Sequence, residues 1–233
     1  MDEQIHRAFE PNKFLIPLSI IIAGALVAGA IYYGGKSPTY VSDTNTDPSK
    51  IEVPEVINKD HIRGSANAEI VIIEYSDTEC PYCKVFHNTM QEVMSTYDNK
   101  VAWVYRHFPI PQLHSRAMKE AEATECVAEL GGNDIFWKYL DKIFATTNSN
   151  DSLDPAQLPK LAASLDIPQD KFNTCLNSGK YSEAIKNSMA EAAKAGAQGT
   201  PYSIIITKDD KKDIINGAEP IEVVKQKIDA LLK

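Results

Sequence analysis

The sequence predicts an α/β fold in which a strand–helix–strand unit and a strand–strand–helix unit are separated by a long helical insertion. Three observations carry that expectation. Ile70 to Tyr75 (IVIIEY) is an almost unbroken apolar run that passes within a few residues into Cys80-Pro81-Tyr82-Cys83 and an amphipathic helix. Val101 to Phe108 (VAWVYRHF) follows closely enough to make a βαβ unit, whose strands are parallel and whose crossover is right-handed. Near the end, Tyr202 to Thr207 (YSIIIT) and Asp213 to Asn216 (DIIN), joined by a charged turn at 209–212, read as a hairpin before a last helix.

Taken in order, the chain begins with a short polar stub, residues 1–13. Phe14 to Tyr33 (FLIPLSIIIAGALVAGAIYY) is then an uncharged apolar run of 20 residues. As a helix it reaches about 30 Å, the thickness of a bilayer's hydrocarbon core, and reads as a transmembrane anchor. A cleaved signal peptide is the rival reading, because Ala28-Gly29-Ala30 has the small-x-small form of a cleavage site. Asp2, Glu3 and Glu10 argue against it, since a signal peptide's first segment carries net positive charge. Under either reading everything after residue 35 is exported to an oxidising compartment where disulfides persist. The expected location is therefore a bacterial-type cell membrane, crossed once, with the remaining chain on the extracytoplasmic side.

Residues 34–60 are rich in Ser, Thr, Pro, Asp and Asn and show no period that would bury a face, so a flexible linker with a root-mean-square reach of about 30 Å is expected. The folded domain is expected over 61–233. His61 to Glu69 reads as a loop leading in. The 70–75 strand is continuous rather than alternating in hydrophobicity, as a strand covered on both faces and central in its sheet would be. The helix after it should run to about Tyr97, with Val85, Phe86, Met90, Val93 and Met94 at helical spacing. Pro109 and Pro111 stop the second strand. The insertion, about 113–195, should hold helices near 115–130, 134–145, 154–165, 168–177 and 180–195, with Gly131-Gly132, the polar run 146–152 and Pro168 as punctuation. The last helix spans about 219–232, with Pro220 in its first turn.

With 43% apolar residues the chain can build a core. A formal charge of −8 without a basic cluster excludes a nucleic-acid partner, because phosphate binding needs a basic surface. The chemistry points instead to Cys80 and Cys83. A thiol at a helix N-terminus is held by the helix dipole and free backbone N–H groups in its ionised form, below the ordinary value of about 8.5. Cys80 is thus the candidate nucleophile, and Cys83, one turn inward, the candidate resolving thiol. A structural disulfide or a metal site made of Cys80, Cys83 and His87 are the alternatives. Haem attachment is excluded because Lys84, not His, follows Cys83. Glu74 is the other unusual residue. A carboxylate in an apolar strand is costly to bury unpaired, so it is either a raised-pKa proton carrier for Cys83 or an acid at a strand end that reaches solvent. Cys126 and Cys175 form a structural disulfide or remain two buried thiols. His107 and His114, beside a proline-rich turn, receive no role, and no metal or other cofactor is assigned.

IVIIEYSDTECPYC (70–83), RHFPIPQLHSRAMKEAEATEC (106–126) and GAQGTPYSIII (196–206) together resemble the DsbA-like branch of the thioredoxin superfamily, in which a helical domain interrupts the thioredoxin fold. The resemblance covers about 61–233. It implies thiol–disulfide exchange with protein substrates, a cis-proline loop at Thr200-Pro201 beside the cysteines for the substrate chain, and an acid at Glu74 under the pair. The alternative for Thr200-Pro201 is an ordinary proline leading a strand. The resemblance further implies reduced exported polypeptides as substrates and a quinone-linked membrane partner that reoxidises the pair. Pro81 and Tyr82 tune the site: related enzymes often have His before the second cysteine, and Tyr82 should make a milder oxidant. A reductase or isomerase role stays open, although residues 34–60 are too short and polar to supply the dimerising domain that related isomerases use, so a monomer is expected.

Overall fold

The computed structural model describes residues 51–65 and 67–233. The expected stub, the apolar run 14–33 and most of the 34–60 linker lie outside the described residues. Among the described residues no helix is long and apolar enough to cross a membrane.

Five strands form one sheet. They are β1 (His61–Gly64), β2 (Ile70–Ser76), β3 (Val101–His107), β4 (Tyr202–Thr207) and β5 (Lys212–Asn216), in the spatial order β1-β3-β2-β4-β5. The continuous apolar strand β2 is central, as its sequence predicts. It pairs parallel with β3, Ile72 opposite Trp103, and antiparallel with β4, Glu74 opposite Ser203. Helix α1 (Pro81–Tyr97) makes the crossover between β2 and β3. The helical insertion consists of α2 (Ala117–Gly131), α3 (Asn133–Thr146), α4 (Gln157–Ala163), α5 (Gln169–Ser178) and α6 (Ser182–Lys194), and α7 (Ile221–Leu231) closes the chain.

Both sheet faces are covered, which is why β2 and β3 have no polar alternation. On one face Ile70, Ile72, Trp103 and Ile205 pack with Phe86, Met90 and Val93 of α1, Val224 and Ile228 of α7, and Phe136, Trp137 and Leu140 of α3. On the other, Ile73, Tyr75, Val104 and Ile204 meet Ala192 and Ala195 at the end of α6 together with Ile51. The insertion has its own apolar centre, which includes Tyr139, Ile143, Phe172, Cys126 and Cys175.

Several sequence expectations are corrected. His61 to Gly64 is not loop but edge strand β1, paired antiparallel to β3. Its four residues are too few to show a period. The end of the linker is not free: Ile51 is buried, and the guanidinium of Arg106 donates to both Asp60 carboxylate oxygens and to the carbonyls of Pro54 and Glu55. A buried arginine has to find such partners, and here the linker supplies them. Val85 faces solvent, and His87 takes the inner position on α1 beside Phe86 and Met90. Pro220 stands just before α7, where its missing N–H costs nothing, rather than within the first turn.

Candidate active site

Topology brings the predicted residues together. Because β2 and β3 are parallel and β4 antiparallel to them, the end of β2, the end of β3 and the start of β4 lie at one edge of the sheet. From that edge rise the turn 77–80, the loop 108–116 and the segment before β4.

Cys80 is the N-cap of α1, with extended backbone (φ −75, ψ 124), and its carbonyl accepts the N–H of Lys84. Cys83 is fully buried one turn into the helix, and both cysteines are free thiols. The Thr200–Pro201 peptide is cis, and the Cys80 thiol lies 3.4 Å from the Thr200 carbonyl, to which it donates. The Thr200 hydroxyl has no other hydrogen-bond partner and stands close enough to favour the Cys80 thiolate.

The two sulfurs are driven apart electrostatically. A hydrogen bond from Cys83, assisted by backbone N–H groups of the helix start, brings Cys80 down to about 6 in spite of partial burial. Cys83 moves the opposite way. Burial raises it well above the ordinary thiol range, and its hydrogen bond and proximity to Cys80, together with the charge on Glu74, raise it further.

Glu74 does not reach solvent. It is fully buried, and burial pushes its carboxyl up to about 7, against the lowering effect of the hydrogen bond from Trp103 and of the nearby Ser76 hydroxyl. The Trp103 indole N–H donates to one carboxylate oxygen at 2.8 Å. The other oxygen is unpartnered, as are the hydroxyls of Ser76, Tyr105 and Ser203. Tyr105 and Ser203 are opposite Glu74 on the two flanking strands, and Ser76 is two residues along, so all four side chains share the face beneath Cys83. Such a cluster of unpaired polar atoms suits one or two bridging waters.

The turn before Cys80 is pinned by acids that the sequence did not single out. Asp77 accepts from the backbone N–H of Glu79 and of Ile110 and from His114 Nδ1. Glu79 accepts from Thr147 and from the backbone N–H groups of Ser152 and Leu153. Glu120, bonded by the Thr78 hydroxyl, is pushed up to about 9 by burial and by sharing a hydrogen bond with Glu79, so it stays protonated at neutral pH. His114 therefore has a structural part. His87 is held by its Nε2, bonded to Asp141 at 2.8 Å, and by its ring, which packs against Trp103 and Phe144, while its Nδ1 has no hydrogen-bond partner. Pro81 and Tyr82 are exposed at the helix start, Tyr82 at 66%. Cys126 and Cys175 form a disulfide between α2 and α5.

The thioredoxin family profile matches residues 57–230. The chain belongs to the thioredoxin family. Within the solved structures this thioredoxin-family protein is similar to DsbA2 of Pseudomonas aeruginosa, at 26% identity and a TM-score of 0.66 over 76% of this chain and 97% of that one. It is equally similar to α-DsbA1 of Wolbachia pipientis, at 26% identity and a TM-score of 0.66 over 79% and 95%. BdbD of Bacillus subtilis shares the fold, with a TM-score of 0.68 at 20% identity over 78% of this chain and 97% of that one. The two matches at 26% identity make this chain similar to the DsbA-family thiol–disulfide oxidoreductases, and BdbD adds the fold alone. It also matches the Na(+)/H(+) antiporter NhaA 3 of Salinispora tropica, 34% identical over 149 residues, which is 64% of this chain but only 22% of that protein. The chain thus spans about a fifth of the length of such relatives.

Proposed function

We propose that this thioredoxin-family protein is a membrane-anchored oxidant of exported polypeptides, held through residues 14–33 and placing disulfides in reduced substrates. The observation that carries the reading is the placement of the pair, with Cys80 at the N-cap of α1 beside the Thr200 carbonyl and Cys83 fully buried one turn in; that placement lowers Cys80 to about 6 and raises Cys83 well above the thiol range. A stable Cys80 thiolate stabilises the reduced form, which makes the disulfide the more willing electron acceptor.

In the oxidising direction a substrate thiolate attacks Cys80 Sγ of the Cys80–Cys83 disulfide. The S–S bond breaks, its electron pair goes to Cys83, and a substrate–Cys80 mixed disulfide forms against the Thr200 and Pro201 segment. Cys83, buried and a poor thiolate, takes a proton that Glu74 is placed to give. The second substrate thiolate then attacks the substrate sulfur, and Cys80 leaves as its thiolate. Two electrons have passed to the protein and a disulfide to the substrate. No cofactor takes part, and a quinone-linked membrane partner would remove the two electrons. Tyr82 and Leu113, 66% and 70% exposed beside the cysteine edge, offer apolar contact to an unfolded chain.

The test is the equilibrium of the Cys80/Cys83 couple against glutathione buffers. A potential well above thioredoxin's, about −270 mV, is expected; a value near −270 mV, with rapid insulin reduction, would make the protein a reductase instead.

A further inference from the structure

Two histidines distant in sequence converge on one carboxylate. His61 lies on edge strand β1, His107 ends β3, and Glu125 is on α2 of the insertion. The Nε2 atoms of His61 and His107 each stand 2.9 Å from the same oxygen of Glu125. One ligand atom from each of the three residues falls within 4.8 Å of the others. Both rings are fixed by aromatic packing: His61 is stacked on Phe136, centroids 3.5 Å and planes 10° apart, and His107 meets Tyr105 and Phe136 edge-on. The Thr124 hydroxyl is 3.2 Å from His107 Nε2. The cluster opens into a cavity of about 320 Å³, lined also by Lys59, Tyr181 and Ser188.

We propose that His61, His107 and Glu125 form a binding site for a divalent transition cation, zinc foremost, with water from the cavity completing the coordination. Ligand chemistry selects the class. Two imidazoles and one carboxylate suit zinc and its neighbours, whereas calcium and magnesium take six or more oxygens and copper(I) prefers sulfur. Distance allows it as well. Tetrahedral zinc at about 2.0–2.1 Å from each ligand sets neighbouring ligand atoms about 3.3 Å apart, so the two histidine–carboxylate separations of 2.9 Å need to widen by only a few tenths of an ångström, and the third separation already lies within 4.8 Å. The cation would replace the two imidazole protons that now point at Glu125 and would fasten the sheet's edge to the helical insertion. This inference is independent of the direction in which the cysteine pair works.

The detergent-solubilised full-length chain, oxidised so that Cys80 and Cys83 cannot ligate, is titrated with Zn²⁺ alone by calorimetry. One equivalent should bind the cluster, and at a hundredfold excess over Kd the Tm should rise by about 5–10 °C. H61Q, H107Q and E125Q should each lose at least about tenfold in affinity. Should these variants fail to fold, NMR of the unaltered chain decides: Zn²⁺ should shift the imidazole signals of His61 and His107 before those of His87 and His114. Absence of binding, undiminished binding in H61Q and H107Q, or His87 or His114 shifting first would overturn the proposal.

Discussion

The protein holds two cysteine pairs built on opposite principles. Cys126 and Cys175 are 49 residues apart in sequence and are joined within an apolar cluster of Ala123, Val127, Phe172 and Leu176. Cys80 and Cys83 are three residues apart, and around them stand a helix N-terminus, a carbonyl, a buried carboxyl and several unpaired hydroxyls. The first setting is largely apolar and places neither sulfur at a helix N-terminus. The second stabilises one thiolate and destabilises the other. Exchangeability therefore comes from asymmetry in the charged forms rather than from the presence of a disulfide.

That contrast can be broken most severely at Cys80. C80S should abolish turnover of reduced substrate completely while leaving the fold intact, measured by reactivation of a reduced, unfolded enzyme. Replacing Cys126 and Cys175 together by alanine should do the reverse. Stability should fall by up to about 4 kcal/mol on the chain-entropy model for a loop of this length, seen in urea unfolding, and the potential of the Cys80/Cys83 couple should stay where it was.

Glu74 sharpens the asymmetry. A carboxyl raised from 4.5 to about 7 in the folded state binds protons that the unfolded chain releases, so stability declines as pH rises from about 4.5 to 7 and then levels. E74Q should remove that decline, a difference of up to about 3 kcal/mol above pH 7, and should slow release of Cys83 by at least about tenfold in stopped-flow measurements. A titration of the reduced protein followed by thiolate absorbance should give a midpoint near 6 that belongs to Cys80; a midpoint above 8 would remove the basis for calling the pair an oxidant. The smallest effect is expected at Tyr82. Y82H adds a hydrogen-bond donor at the helix start and should shift the glutathione equilibrium about tenfold, or roughly 30 mV, toward a stronger oxidant.

Much of this was legible in the sequence because it rests on local pattern. The apolar run 70–75, the cysteine spacing and the punctuated helices of the insertion place most elements within a few residues. Glu74 stood out because a lone acid in an apolar strand is conspicuous. What stayed hidden depends on register and long-range pairing. Tyr105 and Ser203 acquire meaning only when β3 and β4 align them with Glu74, though the rule that alternate residues share a face narrows the choice once the strands are known. The acids Asp77, Glu79 and Glu120 look like ordinary surface charges until the insertion folds over them. His61, in a stretch read as loop, gave no hint that β1 would bring it to His107 and Glu125.

Trp103 connects the site to something visible from outside. Its indole N–H is bonded to Glu74, and the rings of His87 and Trp137 stand 5.1 and 4.6 Å away. Indole emission responds to the charge and hydrogen bonding of its immediate neighbours. Each proton that Glu74 takes up or gives away therefore alters the brightness of a chromophore the protein already carries, and ultraviolet fluorescence should follow the redox cycle in real time without any added dye.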